Sequence, residues 1–232
     1  MKLGIMQPYF FPYIGYWQLL NAVDQYVVYD DVNYINRGWI NRNRILINGK
    51  AHYYNLPLQG ASQNKLINAL EWKNDEPSRR KMLSALQMSY ARAPYYREIY
   101  PLLETVIRYD EANVALYLKN QIELISKYLE INTTLLLSSE IKKDHQLRGE
   151  SKILEICKIL GADTYVNAIG GQALYSQELF QTAGIQLHFL QAREIVYPQF
   201  KHDFIPNLSI IDVLMFNSKE KVQKMLSEYD LR

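Results

Sequence analysis

The sequence predicts an α/β fold: a mostly parallel, Rossmann-like sheet flanked by helices, with a β-hairpin and an inserted helical region. Three observations predict it. Strand, helix and strand follow one another within the first thirty residues, the second half of the chain repeats that alternation, and an Asn-Gly pair separates two apolar runs. The 232 residues are 48% hydrophobic and 22% charged, enough for one good-sized core. We therefore expect a single domain over 1–232, with the helical insertion at about 60–130.

The elements follow in order. Lys2 to Met6 is an apolar run closed by Gln7-Pro8, the pattern of a buried strand stopped by a residue that cannot continue the ladder. Pro12 suits the first position of a helix, and Ile14, Trp17, Leu19 and Leu20 recur at helical spacing, which predicts a helix over 12–23. Gln25 to Tyr29 is a second strand ending on Asp30 and Asp31. This βαβ unit is right-handed and parallel, so the turn from Gln7 to Tyr13 and the Asp30-Asp31 pair belong at the carboxyl edge of the sheet, where open α/β folds bind ligands.

Arg44 to Ile47 and Ala51 to Leu56 flank Asn48-Gly49 and predict a hairpin. From Ser78 to Leu129 the apolar spacing is helical, with breaks expected at Ala93-Pro94 and Tyr100-Pro101. Thr133 to Leu137, Thr164 to Asn167 and Gln186 to Leu190 read as strands, separated by helices over Glu150 to Leu160 and Ser176 to Ala183 that end at Gly161 and Gly184. Asp212 to Phe216 and Lys219 to Tyr229 read as closing helices.

Composition narrows the function. Twenty-six Lys and Arg against 24 Asp and Glu leave a net charge of +2, too near neutrality for a nucleic-acid binder that works by counterion release. Any anion site is local. The single cysteine, Cys157, forms no internal disulfide and sits in an amphipathic helix as a core residue; a reducing, cytoplasmic compartment is expected. No run reaches the roughly 18 apolar residues of a membrane span, and no spacing of His, Cys, Asp or Glu suggests a metal. Nothing names a cofactor.

Tyrosine is the outlier, 19 residues in all, with six of them (Tyr9, Tyr13, Tyr16, Tyr26, Tyr29 and Tyr34) in the first 34 positions. A flat apolar body with a hydroxyl suits pockets for hydroxylated or aromatic ligands, and equally fills half-buried core edges. The densest polar stretch is DDVNYINRGWINRNR at 30–44. Its guanidinium forks suit phosphate and its asparagine amides suit sugar hydroxyls, which makes Tyr34, Arg37, Asn41, Arg42 and Asn43 candidate substrate-binding residues; a solvated charged loop is the plainer alternative. Asp30 and Asp31 point to opposite faces of a strand end, so one of them is a candidate catalytic base, the other reading being a cap or a partner of Arg37. Gln7, Tyr9 and Tyr13 join the candidate binding set by their place after the first strand.

Gly170-Gly171, with Tyr175 following, offers backbone amides for close approach to an anion, or simply a turn needing positive φ. Among four histidines, His202 alone has an obvious loop carboxylate beside it, Asp203, and is the last candidate binding residue. No GxSxG, P-loop or GxGxxG string occurs, so serine-hydrolase, Walker and dinucleotide readings lack their motif.

Three features together, MQPYFFPYIGYWQ at 6–18, DDVNYINRGWINRNR at 30–44, and the late pair IGGQALY and LSIIDVLMFN, resemble the WbqC-like family of bacteria over essentially the whole chain. The resemblance implies a role in O-antigen or other surface-polysaccharide synthesis: an enzyme acting on a nucleotide-linked amino sugar, with an acyl or aminoacyl donor as second partner. A remoter likeness links Pro12-Tyr13-Ile14-Gly15-Tyr16 and Ser138 to Lys143 with the His-x-Gly-His turn and later phosphate loop of nucleotidyltransferases. Both histidines are tyrosines here, which bring no positive charge to a phosphate transition state. A non-catalytic protein that binds a glycan precursor or a biosynthetic partner is the third reading.

Overall fold

The strands of this chain alternate between two apolar cores, and that alternation fixes the layers. In the computed structural model, which describes residues 1–201 and 203–232, β1 (Lys2–Met6) sends Leu3 and Ile5 to one face and keeps Gly4 against the Tyr26 ring on the other. β2 (Gln25–Val28) does the same, with Val27 on the Leu3 side and Tyr26 and Val28 opposite.

Six strands form the central sheet. Its order is β10-β9-β8-β1-β2-β7, where β7 is Thr134–Leu137, β8 Thr164–Ala168, β9 Gln186–Ala192 and β10 Tyr229–Leu231. β1 pairs in parallel with both β2 (Leu3 opposite Gln25) and β8 (Gly4 opposite Val166), and only the β9–β10 pair is antiparallel. The expected parallel α/β sheet is therefore present, and the hairpin stands apart as β3 (Arg42–Ile47) and β4 (Lys50–Asn55). Asn48 and Gly49 both have positive φ, the conformation a two-residue hairpin turn demands.

One core lies under α1 (Ile14–Asn21) and the segment that follows the hairpin. That segment is a two-stranded ribbon, β5 (Leu58–Gln59) with β6 (Glu71–Trp72), and three helices, α2 (Glu76–Tyr90), α3 (Tyr96–Ile107) and α4 (Val114–Leu129). α5 (Gly149–Ile159) and α6 (Gln177–Thr182) cover the other core, where Cys157 is buried and its thiol pushed up to about 12 by desolvation. α7 (Ile210–Phe216) and α8 (Lys219–Met225) return to the first core. Among the described residues no helix is long and apolar enough to cross a membrane.

Two expectations need correction. α3 runs through Pro101, its sixth residue, instead of breaking there: the proline costs one intrahelical N–H bond, which the burial of Ile99, Leu103 and Val106 on one face offsets. The last helix ends at Met225, and Tyr229–Leu231 is an edge strand that only its pairing with Leu190–Ala192 creates.

Candidate functional site

The turn between β1 and α1 is strained and heavily pinned. Phe11 holds φ at 41°, a left-handed conformation that costs a bulky residue energy, and buried polar groups from distant segments maintain it. Gln121 of α4 accepts from Phe11 N (3.0 Å) and donates to Tyr9 O (3.1 Å); Asn43 Nδ2 donates to Phe10 O (3.2 Å); Ser209 Oγ donates to Phe11 O (2.8 Å). Gln121 and Ser209 are fully buried. Such convergence places Tyr9 and Tyr13 with little freedom at the carboxyl edge of β1.

Beneath this turn a cavity of about 360 Å³ is lined by Tyr9, Pro12, Tyr13, Trp39, Asn43, Arg44 and Asn207. Burial raises the pKa of both phenols, and for Tyr9 the neighbouring Tyr13 adds to it, so both are neutral hydrogen-bonding groups at physiological pH. Tyr13 folds back over Gly15, where a Cβ would lie 2.5 Å from its ring. Arg44 supplies the charge. Its Nη2 donates to Asn207 O (3.1 Å), yet its buried Nε has no partner, and no carboxylate pairs with it among the described residues. A cation with an unused donor lining the same cavity as three aromatic side chains suits an anionic, ring-bearing ligand.

A second cavity, of about 480 Å³, adjoins the first, with Tyr13 and Asn207 lining both. Tyr197 and Phe204 wall it. Behind that wall is Asp212, fully buried, whose carboxylate accepts from Tyr90 Oη (2.9 Å), Tyr197 Oη (2.8 Å) and Gln199 Nε2 (2.7 Å). Desolvation outweighs these three neutral donors and pushes its pKa up to about 6.

The aspartates after β2 lie elsewhere. Asp30, buried, accepts from Ser139 N (2.9 Å) and Ser139 Oγ (2.6 Å). Asp31 Oδ2 meets Lys143 Nζ at 2.8 Å and Lys152 Nζ at 3.0 Å, both ammonium groups being almost fully buried. Burial acts to raise the pKa of Asp31, but Lys143, Ser138 and Lys152 outweigh it and hold it below the usual carboxylate value. Lys152 also lies 4.9 Å above the Tyr29 ring. Tyr29 and Tyr175 pack on the α5 side of the sheet, whereas Tyr9 and Ile14 pack on the α1 side.

The sequence candidates thus divide. Tyr9, Tyr13 and Asn43 meet at the first cavity, and Gln7 begins the turn, its carbonyl accepting from Tyr16 Oη (3.3 Å). Tyr34 donates to Asn41 Oδ1 (2.9 Å), and Asn41 donates to Leu56 O (3.2 Å), which ties the loop to the end of β4. Arg42 donates to Gly38 O (3.1 Å) and Arg37 O and stacks on Tyr53, while Arg37 is exposed in a left-handed conformation; neither aspartate pairs with Arg37. Tyr175 Oη accepts from Asn167 Nδ2 (3.0 Å) on the α5 side. Neither Gly170 nor Gly171 has positive φ; Gly171 instead lets Asn167 approach, since a Cβ there would lie 3.2 Å from Oδ1. His202 lies outside the described residues.

Trp39 and Arg44 were visible inside the polar stretch at 30–44, but nothing local sets them above Arg37 and Arg42. Asn207, Lys143, Lys152 and Asp212 carry weaker signals still. Only the tertiary fold brings them to their partners.

The WbqC-like protein family model matches residues 7–224. The chain belongs to that family. The uncharacterized protein Rv1507c of Mycobacterium tuberculosis is 27% identical to this WbqC-like chain over 228 residues, 93% of each chain. No solved structure matches it. The matched span takes in the Tyr9–Tyr13 turn, the polar stretch, both lysines on Asp31, and Asp212.

Proposed function

We propose that this WbqC-like protein binds a nucleotide-linked sugar in the cavity under Tyr9, Tyr13 and Trp39 and acts on it in bacterial surface-glycan (O-antigen) assembly. The observation that carries the reading is Arg44, a cation with a buried, unpartnered Nε beside aromatic faces and the Asn43 amide. A diphosphate meets the guanidinium, and base and sugar rings meet the aromatic walls. The chemistry we assign is acyl or aminoacyl transfer to an amino sugar: an amide bond forms at the sugar nitrogen, and the donor's leaving group departs with the proton.

A second reading, a protein that holds the precursor without turning it over, draws on one observation. Asp30 and Asp31, the sequence candidates for a base, are both engaged away from the cavity, by Ser139 and by the two lysines.

A thermal-shift panel of nucleotide sugars tests the binding. At one hundred times its Kd a ligand stabilises by about 2.7 kcal/mol, a rise of several degrees for a chain of this size. The expected result is such a rise with wild type and its loss in Arg44→Gln. A panel that shifts nothing overturns the proposal. For ligands that do bind, incubation with acyl and aminoacyl donors, followed by product mass, separates the enzyme from the holder.

A further inference from the structure

The second cavity has the opposite character to the first. Gln191, Arg193 and Glu194, at and beyond the end of β9, line it, and the Gln191 carbonyl and the Glu194 carboxylate are hydrogen-bond acceptors where Arg44 is a donor. Gln191 Oε1 is buried and accepts no hydrogen bond. A buried acceptor left unsatisfied is costly, and native folds rarely carry one without a reason. Glu194 is the one carboxylate lining either cavity among the described residues, and no cation of the chain pairs with it there. Its neighbour Arg193 is committed to Asp230, with Nε 3.1 Å from Oδ1. Tyr13 and Asn207 line both cavities, which makes the two adjacent.

An unused donor at one end and unused acceptors at the other describe the ligand by complement. It carries an anion toward Arg44 and a donor toward Gln191 and Glu194. A hydroxyl would satisfy the Gln191 carbonyl but leave the Glu194 charge unanswered; an ammonium group answers both, and its bond to a carboxylate is the stronger, charge-assisted kind. We propose that Gln191 and Glu194 form the recognition pole for an amino group, so that one bipolar site spans both cavities and selects amine-bearing over hydroxyl-bearing ligands. This rests on the reading that the Arg44 cavity takes a nucleotide sugar.

The test is calorimetric titration of matched pairs of uridine- and thymidine-diphosphate sugars that differ only in an amine for a hydroxyl. Wild type, Glu194→Gln, Gln191→Leu and Arg44→Gln are compared, each first checked by its melting curve without ligand. Wild type is expected to favour the amine by tenfold or more. Glu194→Gln abolishes that preference, and Gln191→Leu weakens the amine sugar. Arg44→Gln weakens both members of a pair alike. Equal affinity of wild type for the two members, or a preference that survives Glu194→Gln, overturns the amine pole and leaves the Arg44 reading standing. If no sugar of either kind binds wild type, the nucleotide-sugar reading falls and this inference falls with it.

Discussion

Tyr13 can lie where it does only because residue 15 has no side chain. A Cβ on Gly15 would sit 2.5 Å from Cε2 and 2.8 Å from the hydroxyl of Tyr13, so Gly15→Ala forces the ring to move. Alanine gains about 1 kcal/mol of helix propensity over glycine, which offsets part of the clash. We expect a melting temperature within a few degrees of wild type and a clear loss of ligand affinity, because Tyr13 walls both cavities. Unchanged affinity in a titration would show that the ring is not positioned for binding. Arg42→Ala is the contrasting case: it removes the bonds to Gly38 O and Arg37 O and the stacking on Tyr53, so it should loosen the 37–42 loop, read as faster amide exchange there. Tyr9, Tyr13 and Asn43 were legible in the sequence because they follow a strand or sit in a polar cluster. Arg44 was not singled out, since what distinguishes it from Arg42 is a carbonyl 163 residues away.

Elements with local signals were legible at their own scale. The Asn48-Gly49 hairpin, the βαβ start and the alternating second half each follow from turn chemistry or apolar period. β10 is three residues long and has no signal apart from the strand it joins, and the β5–β6 ribbon is shorter still. α4 shows a further side of the same point: its apolar spacing was clear, but Gln121, on its buried face, binds the β1–α1 turn over a sequence distance of 110 residues. Gln121→Leu strands Phe11 N and Tyr9 O inside the protein. Two unsatisfied buried groups cost about 2–5 kcal/mol, so the melting temperature should fall by roughly 5–15 °C. A variant that melts with wild type would mean that the turn is held without it.

For the whole molecule, two carboxylates, Asp31 and Asp212, set opposite trends. Asp31→Asn leaves Lys143 and Lys152 without their anion, at a cost of about 3–5 kcal/mol, and thermal melts should show a drop of roughly 10 °C. Asp31, with its pKa lowered, stabilises the fold above the unfolded value and loses that contribution as pH falls below it. Asp212 does the reverse. Its pKa rises from 3.8 to about 6 on folding, so the native state binds the extra proton and stability declines as pH rises from about 4 to about 6, by about 3 kcal/mol. The denaturant midpoint of wild type relative to Asp212→Asn should therefore fall as pH rises across that range.

The pinned turn also has a history in time. Phe11 is synthesised well before its partner: the hydroxyl that caps its carbonyl arrives 198 residues later, on Ser209. During synthesis the βαβ unit can form early, while the cleft stays unbuilt until the segment carrying Asn207 and Ser209 has left the ribosome. A chain clipped before Asn207 would lack both that lining residue and the Ser209 hydroxyl, so ligand capture reports that the 207–209 segment has been made and has docked on the turn.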